Sequence, residues 1–482
     1  MAPEEIADLL PVAASQRLLL ELIRAELKTD DHTLEITAGS QKGDNYSCLI
    51  YRAQATCRRS GKQVNIIAKL PPQNEARRNQ FFVRPCFERE ISVYEEIFPM
   101  MREFYRSKGL NREDSFHQVP HCLKSSFVDR EEAIFMRDLK AVGFQMVDRH
   151  RDMSLEHYQL MLKALARLHA TSFALKDQQP ARFERFRSMK EILAIPEAHA
   201  VMGPWYSQMA ARTMELLDEQ KEPEVYQKTK KVLTLSWPEL ARDLLNGQNA
   251  EPYAVIAHGD CWHNNLLYRY EDGNAVDIRL LDWQCCRYAS PVVDLMYFIF
   301  IASSKTFRDR HYDQLLDFYH RTLTDFMRRL GSDPERLFPR KAFDQQLLRF
   351  GRIGLIMATI GLPIINTKNE DVPDLEKWAE QVETGFDVSK SFGSGGMEAI
   401  YRQNMTDCCR DMVPALKKLT FNSAMMALIC GLFIKVFAPW VNRIVSSVSL
   451  ISSGRGLTQA SRVRYEFKFN ESCSTELRIL SR

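Results

Sequence analysis

Between His258 and Asp294 the chain reads HGDCWHNNLLYRYEDGNAVDIRLLDWQCCRYASPVVD. Two short apolar runs, Leu266 to Tyr268 and Ile278 to Leu281, have the composition of strands, and Glu271-Asp272-Gly273-Asn274 between them has that of a hairpin turn. A hairpin here constrains the chain more than any other feature, because it carries the polar loop before one arm up to the acid that ends the other. Asp260, Asn265 and Asp282 are therefore expected to meet in space.

Three such groups suit one chemistry. Phosphoryl transfer from a nucleotide needs a carboxylate beside the attacking hydroxyl and hard oxygen ligands that hold Mg²⁺ against the phosphates. Asp260 followed by Asn265 repeats the D-x-x-x-x-N spacing of a kinase catalytic loop, and Asp282 stands where a second metal ligand would come. Asp260 is thus the candidate catalytic residue, with Asn265 and Asp282 as candidate metal ligands. Asp and Asn are also ordinary turn residues, so the weight rests on spacing, order and flanking strands together. His258 reads as a brace for the loop, His263 as a surface or supporting residue, and Trp262 as a packing residue. Asp294 reads as an acceptor for the loop's backbone N–H groups.

H-G-D-x-W-x-x-N-x-L, then L-L-D-W-Q and S-P-V-V-D-L, resembles the ecdysteroid-kinase-like family, within the larger group of choline-kinase and aminoglycoside-phosphotransferase-like enzymes. The resemblance spans about residues 30 to 419. It implies an α+β, bilobal protein-kinase-like fold with ATP and Mg²⁺ between the lobes. It also implies a small hydroxylated substrate, a steroid such as an ecdysteroid or a foreign alcohol or phenol. A cationic acceptor of the choline or aminoglycoside type, and a kinase-shaped binding protein without activity, are the alternatives. Protein kinases are disfavoured because H-R-D, D-F-G and A-P-E do not follow one another along the chain as they do there.

Upstream the apolar period is that of strands. Leu34 to Ala38 and Tyr46 to Cys57 flank the turn Gly39 to Asn45, whose Gly39, Gly43 and Asn45 are candidates for covering phosphates with backbone N–H groups. Val64 to Leu70 is a third strand with Lys69 on the face opposite Val64, Ile66 and Ala68. An ammonium there can pair with nucleotide phosphates if a carboxylate fixes it, and Glu90 is the candidate, at the margin of the helical stripe Phe87, Ile91, Tyr94 and Phe98. Pro99 is expected to stop that helix. By the resemblance, the linker near Met136 contacts adenine through its backbone at Asp138 and Leu139, although Arg137 stands where the family has Glu.

From Ser154, read as a helix cap, the chain is expected to be helical. His169 is structural by the resemblance. Trp205, Tyr206 and Met202 or Met209 are candidates for a substrate cleft or for plain core, and a helix is expected over 345–360.

The 482 residues allow a large core and two or three domains or a two-lobed enzyme. The expected division is 1–137 as nucleotide-binding lobe, 138–420 as helical lobe and 421–482 as an atypical tail, an apolar segment and then a basic stretch read as disordered or only weakly folded. Lys plus Arg number 65 against 62 Asp plus Glu, which gives no electrostatic case for nucleic acid. Eleven cysteines without a C-x-x-C pair suggest neither a disulfide framework nor zinc, and the acidic start MAPEEIADLL is not that of a signal peptide, so cytoplasm is expected. The apolar run 424–439 contains Lys435 and falls short of the ~20 residues a bilayer requires. It is read as a packed helix before a membrane contact.

Overall fold

The computed structural model describes residues 10–388, 391–393, 395–412, 464–469 and 475–480. The chain divides into two compact units, Met1–Lys417 and Lys418–Arg482.

The first unit opens with helix α1 (Ala13–Leu27), followed by strands β1 (His32–Ala38), β2 (Leu49–Cys57), β3 (Gln63–Leu70), β4 (Cys122–Ser126) and β5 (Ala133–Arg137). They form one sheet in the order β1-β2-β3-β5-β4, with every neighbouring pair antiparallel. Side chains alternate across a strand, so β3 serves two purposes. Val64, Ile66 and Ala68 are buried in one cluster with Leu19, Ile23 and Leu27 of α1, while Lys69 turns to the other face. β2 begins three residues later than its apolar pattern suggests. The carbonyls of Tyr46 and Cys48 are taken by the Arg77 guanidinium at 2.8 and 3.3 Å, which holds residues 46–48 in the loop.

Helix α2 (Val83–Ser92) packs Phe87 and Ile91 inward, and Glu90 with them. Pro99 does not end the helical path. Residues Val93–Ile97 widen into a π turn, and a further helix, Phe98–Ser107, starts with Pro99 in its first turn, where a missing N–H breaks no hydrogen bond.

The remainder is mostly helical, built on α3 (Leu155–Gln178). Ser154 occupies the cap position, but its hydroxyl meets Nδ1 of His157 at 2.8 Å and no backbone N–H. Strands β6 (Phe144–Met146), β8 (Leu266–Glu271) and β9 (Asn274–Leu280) form a three-stranded sheet, and β7 (Val255–Ala257) pairs with β10 (Arg287–Ala289). The β8–β9 turn is the expected hairpin, with φ of 49° at Asp272 and 80° at Gly273. Helix α4 (Pro291–Ala302) is buried along its whole length and packs on α5 (Ile353–Ile365). The single helix expected over 345–360 is two, Arg340–Phe350 and α5, bent at Gly351-Arg352.

Tyr206 and Met209 are buried core residues, and Trp205 stacks on Phe392 at 6.2 Å, so packing accounts for all three. This is an α+β, bilobal, protein-kinase-like fold, with an antiparallel sheet over a helical lobe. In the second unit Arg464–Phe469 pairs antiparallel with Thr475–Leu480. The apolar run 424–439 lies outside the described residues. Among the described residues no single helix is long and apolar enough to cross a membrane.

Candidate active site

The loop after β7 is anchored from beneath. Asp294, in the first turn of α4, accepts the N–H of His258 at 2.7 Å and of Gly259 at 2.8 Å, and meets His169 Nε2 at 3.1 Å. Burial alone would raise its pKa, but these donors and the His169 ring outweigh it and hold the carboxyl below its ordinary value. Gly259 has φ +86°, and a Cβ there would lie 2.0 Å from the carbonyl oxygen of Cys285. Only glycine lets the loop pass so close to the chain after β9. His258 completes the brace: Nδ1 accepts the Asp260 N–H at 3.2 Å and Nε2 lies 2.9 Å from the Leu281 carbonyl. Burial lowers its pKa, which favours the neutral ring that this pattern requires.

Asp260 is thereby presented with both carboxylate oxygens held. Tyr297 donates to Oδ1 at 2.9 Å, and Asn265 Nδ2 donates to Oδ2 at 2.8 Å and to the backbone oxygen at 3.0 Å. Burial, and next the nearby negative charge of Asp282, push the Asp260 pKa up to about 6. Tyr297 is not singled out by the sequence motifs. The available signal was spacing, since it sits three residues after Asp294 and so on the same side of α4.

Asp282 follows β9 in the left-handed region, at φ 61° and ψ 70°. Its Oδ1 accepts from Lys69 Nζ at 2.6 Å, and the same ammonium reaches Glu90 Oε2 at 2.5 Å. Glu90, expected at the margin of the helical stripe and turned toward the strand, is fully buried, because α2 lies directly on the turn that follows Asp282. Burial would lower the Lys69 pKa, yet the two carboxylates outweigh it and keep the ammonium charged.

A cavity of about 1230 Å³ opens between the sheet and the helical part, lined by Gly39, Asn45, Lys69, Glu90, Asn265 and Asp282 among others. At the turn, the Gly39 N–H donates to the Ile50 carbonyl at 2.8 Å, extending the β1–β2 ladder, Gly43 adopts φ +87°, and Asn45 Nδ2 caps the Cys48 carbonyl at 2.7 Å. At the linker, Asp138 and Leu139 both line the cavity. The Asp138 carboxylate is already engaged, by Arg52 at 2.5 Å and the Lys140 N–H at 2.9 Å, which leaves the backbone as the surface available there. Arg137 spends its guanidinium on Glu26 of α1.

His263, read as surface or supporting, is buried, and burial brings its pKa down to about 4. Asn264 and Arg149, which the sequence reading passed over, also line the cavity.

Asn265 and Asp282 offer one amide oxygen and one carboxylate at the same cavity wall. Because the Asn265 nitrogen is spent on Asp260, its oxygen is left for a metal, and hard oxygen donors in small number suit Mg²⁺, which takes its other ligands from phosphates and water. The residues present fit that ion.

The model of the ecdysteroid kinase-like family matches residues 42–332, a stretch that contains the glycine turn, Lys69, Glu90 and the whole catalytic hairpin. The chain belongs to the ecdysteroid kinase-like family. It is thus a kinase-type phosphotransferase of the small-molecule class. No curated protein matches it. Among solved structures, Plasmodium vivax ethanolamine kinase aligns over 74% of this chain and 81% of its own at 10% identity, with a TM-score of 0.34. A GDP complex of a mutant aminoglycoside 2'-phosphotransferase-IIIa aligns over 76% of this chain and 95% of its own at 9% identity, with a TM-score of 0.38.

Proposed function

We propose that this ecdysteroid kinase-like protein transfers the γ-phosphate of ATP to a hydroxyl of a small molecule, a steroid such as an ecdysteroid or a foreign alcohol or phenol. The observation that supports this most is the meeting of Lys69, Glu90 and Asp282 at one ammonium, on a cavity that Asn265 also lines.

In this reading Lys69, fixed by Glu90, grips the phosphates. The turn Gly39 to Asn45 covers them, and the backbone at Asp138 and Leu139 receives the base. Asp260 is the catalytic residue. Its carboxylate, oriented by Tyr297 and Asn265, accepts the hydrogen bond of the acceptor hydroxyl and takes its proton as the new P–O bond forms and the bond to the leaving ADP breaks. With a pKa near 6 it is ionised at neutral pH yet basic enough for that task. Asn265 and Asp282 would hold Mg²⁺, which when bound neutralises phosphate charge.

The test is incubation of the purified chain with ATP, Mg²⁺ and a panel of sterol polyols, phenols, choline and aminoglycosides, followed by mass spectrometry. A gain of one phosphate on a neutral alcohol, lost with EDTA and with Asp260→Asn, is expected. Phosphorylation of choline or an aminoglycoside alone moves the protein to the cationic-substrate reading. ATP that neither binds nor turns over leaves a kinase-shaped binding protein.

A further inference from the structure

A loop of glycines and short polar residues has little side-chain packing to decide which way its peptides face, yet phosphates need N–H groups turned toward them. Here the tip of the turn is held by its carbonyls. Gly43 O accepts from Arg149 Nη1 at 3.0 Å and from Asn264 Nδ2 at 3.1 Å, and Asp44 O accepts from the same Asn264 amide at 3.1 Å. Arg149 is fixed in turn, with Nη2 on the Thr367 carbonyl at 2.9 Å and on Asn369 Oδ1 at 2.6 Å, and Nη1 3.8 Å from the Asp44 carboxylate. Both side chains are buried.

The three anchors come from separate stretches: the segment after β6, the catalytic loop, and the chain after α5. Asn264 immediately precedes Asn265, so a single turn of backbone touches the phosphate-covering loop with one residue and offers a metal ligand with the next. A trans peptide places its N–H opposite its C=O. When Asp44 O is drawn onto Asn264, the N–H of Asn45 therefore points away from Asn264, and Asn45 lines the cavity.

We propose that Arg149 and Asn264 are positioning residues for nucleotide phosphates: by seizing the Gly43 and Asp44 carbonyls they fix the turn so that the Asn45 N–H is the amide it presents, the Asp44 N–H being held within the turn by the Gln41 carbonyl at 3.1 Å. This rests on the ATP reading above. In this assignment both side chains act through the turn and not on the reacting atoms. Gly43 belongs to the same device, since a Cβ there would lie 3.1 Å from Arg149 Nη2 and from Asn369 Oδ1, at φ +87°.

The experiment compares equilibrium binding of adenosine, ADP and ATP to the full chain and to Arg149→Met, Asn264→Ala and the double variant, with Mg²⁺ present. Removing one such hydrogen bond is expected to weaken ADP and ATP roughly tenfold while leaving adenosine unchanged. The double variant should lose less than the product of the two, because both residues hold one carbonyl. In turnover, KM for ATP should rise more than kcat falls. Equal weakening of all three ligands, or no weakening of any, overturns the inference. Asn264→Ala removes only one amide and keeps the test open if Arg149→Met fails to fold. A wild-type chain that binds adenosine, ADP and ATP alike not at all overturns the ATP reading itself, an outcome read before any variant is made.

Discussion

Lys69 Nζ and Asp282 Oδ1 stand 2.6 Å apart although 213 positions separate them in the chain, and both belong to the wall of one cavity. With Glu90 on the other side of the ammonium, one buried positive charge faces a buried carboxylate and a second, Asp282, that is partly open to the cavity. Removing the charge leaves those carboxylates uncompensated. Lys69→Met is expected to destabilise the protein by about 3–5 kcal/mol, as breaking buried ion pairs does, and to abolish nucleotide binding. Thermal melts check this, and Lys69→Met combined with Glu90→Gln should recover part of the stability but none of the binding.

Asp260 must be ionised to receive a proton, so activity falls as pH drops through its pKa, about 6 before a metal adds positive charge and at or below that when it does. The Tyr297 hydroxyl favours the ionised form. Tyr297→Phe should therefore move the acid limb of the kcat profile to higher pH, whereas Asp260→Asn should cost on the order of 10²–10⁴ in kcat with ATP affinity kept.

Asp294 carries the catalytic loop on one carboxylate. Its folded pKa lies below the unfolded value of about 3.9, so its contribution is fully present above that pH and is lost as pH falls through the lower, folded value. Asp294→Asn accepts at one oxygen in place of two and should cost about 3 kcal/mol at neutral pH. Melting curves of the two proteins should converge as the pH is taken down through that lower, folded value, where the native carboxylate is neutralised as well.

Gly259→Ala meets two penalties. A left-handed residue with a Cβ costs about 1–2 kcal/mol, and here that carbon would also sit 2.0 Å from a backbone oxygen that cannot swing aside. The variant is expected to accumulate poorly as folded protein, which soluble yield and circular dichroism will show. Gly61→Ala, at φ +69° but with open space around it, should pay the first penalty alone.

Much of the site was legible in the chain because its parts are local. The turn chemistry of Asp272-Gly273 defined the hairpin, and D-x-x-x-x-N before one arm with an acid after the other followed from it. Period-two alternation in β3 separated Lys69 from Val64, Ile66 and Ala68. Other features escaped for physical reasons. Pro99 signals a helix end only if the preceding turn stays α-helical, and Val93–Ile97 does not. The depth of Glu90 depends on where α2 comes to rest against the Trp283–Cys285 turn, which no helical stripe records.

Sequence by itself determined which residues carry charge, where the hairpin turns, and which segments alternate as strands or repeat as helices, since these depend on neighbours a few residues away. Tertiary structure alone decided what the charges meet. The partners Lys69 with Asp282, Tyr297 with Asp260, and Arg149 with Gly43 lie 213, 37 and 106 positions apart, and such pairings arise only when packing brings distant segments together so that these buried polar groups meet.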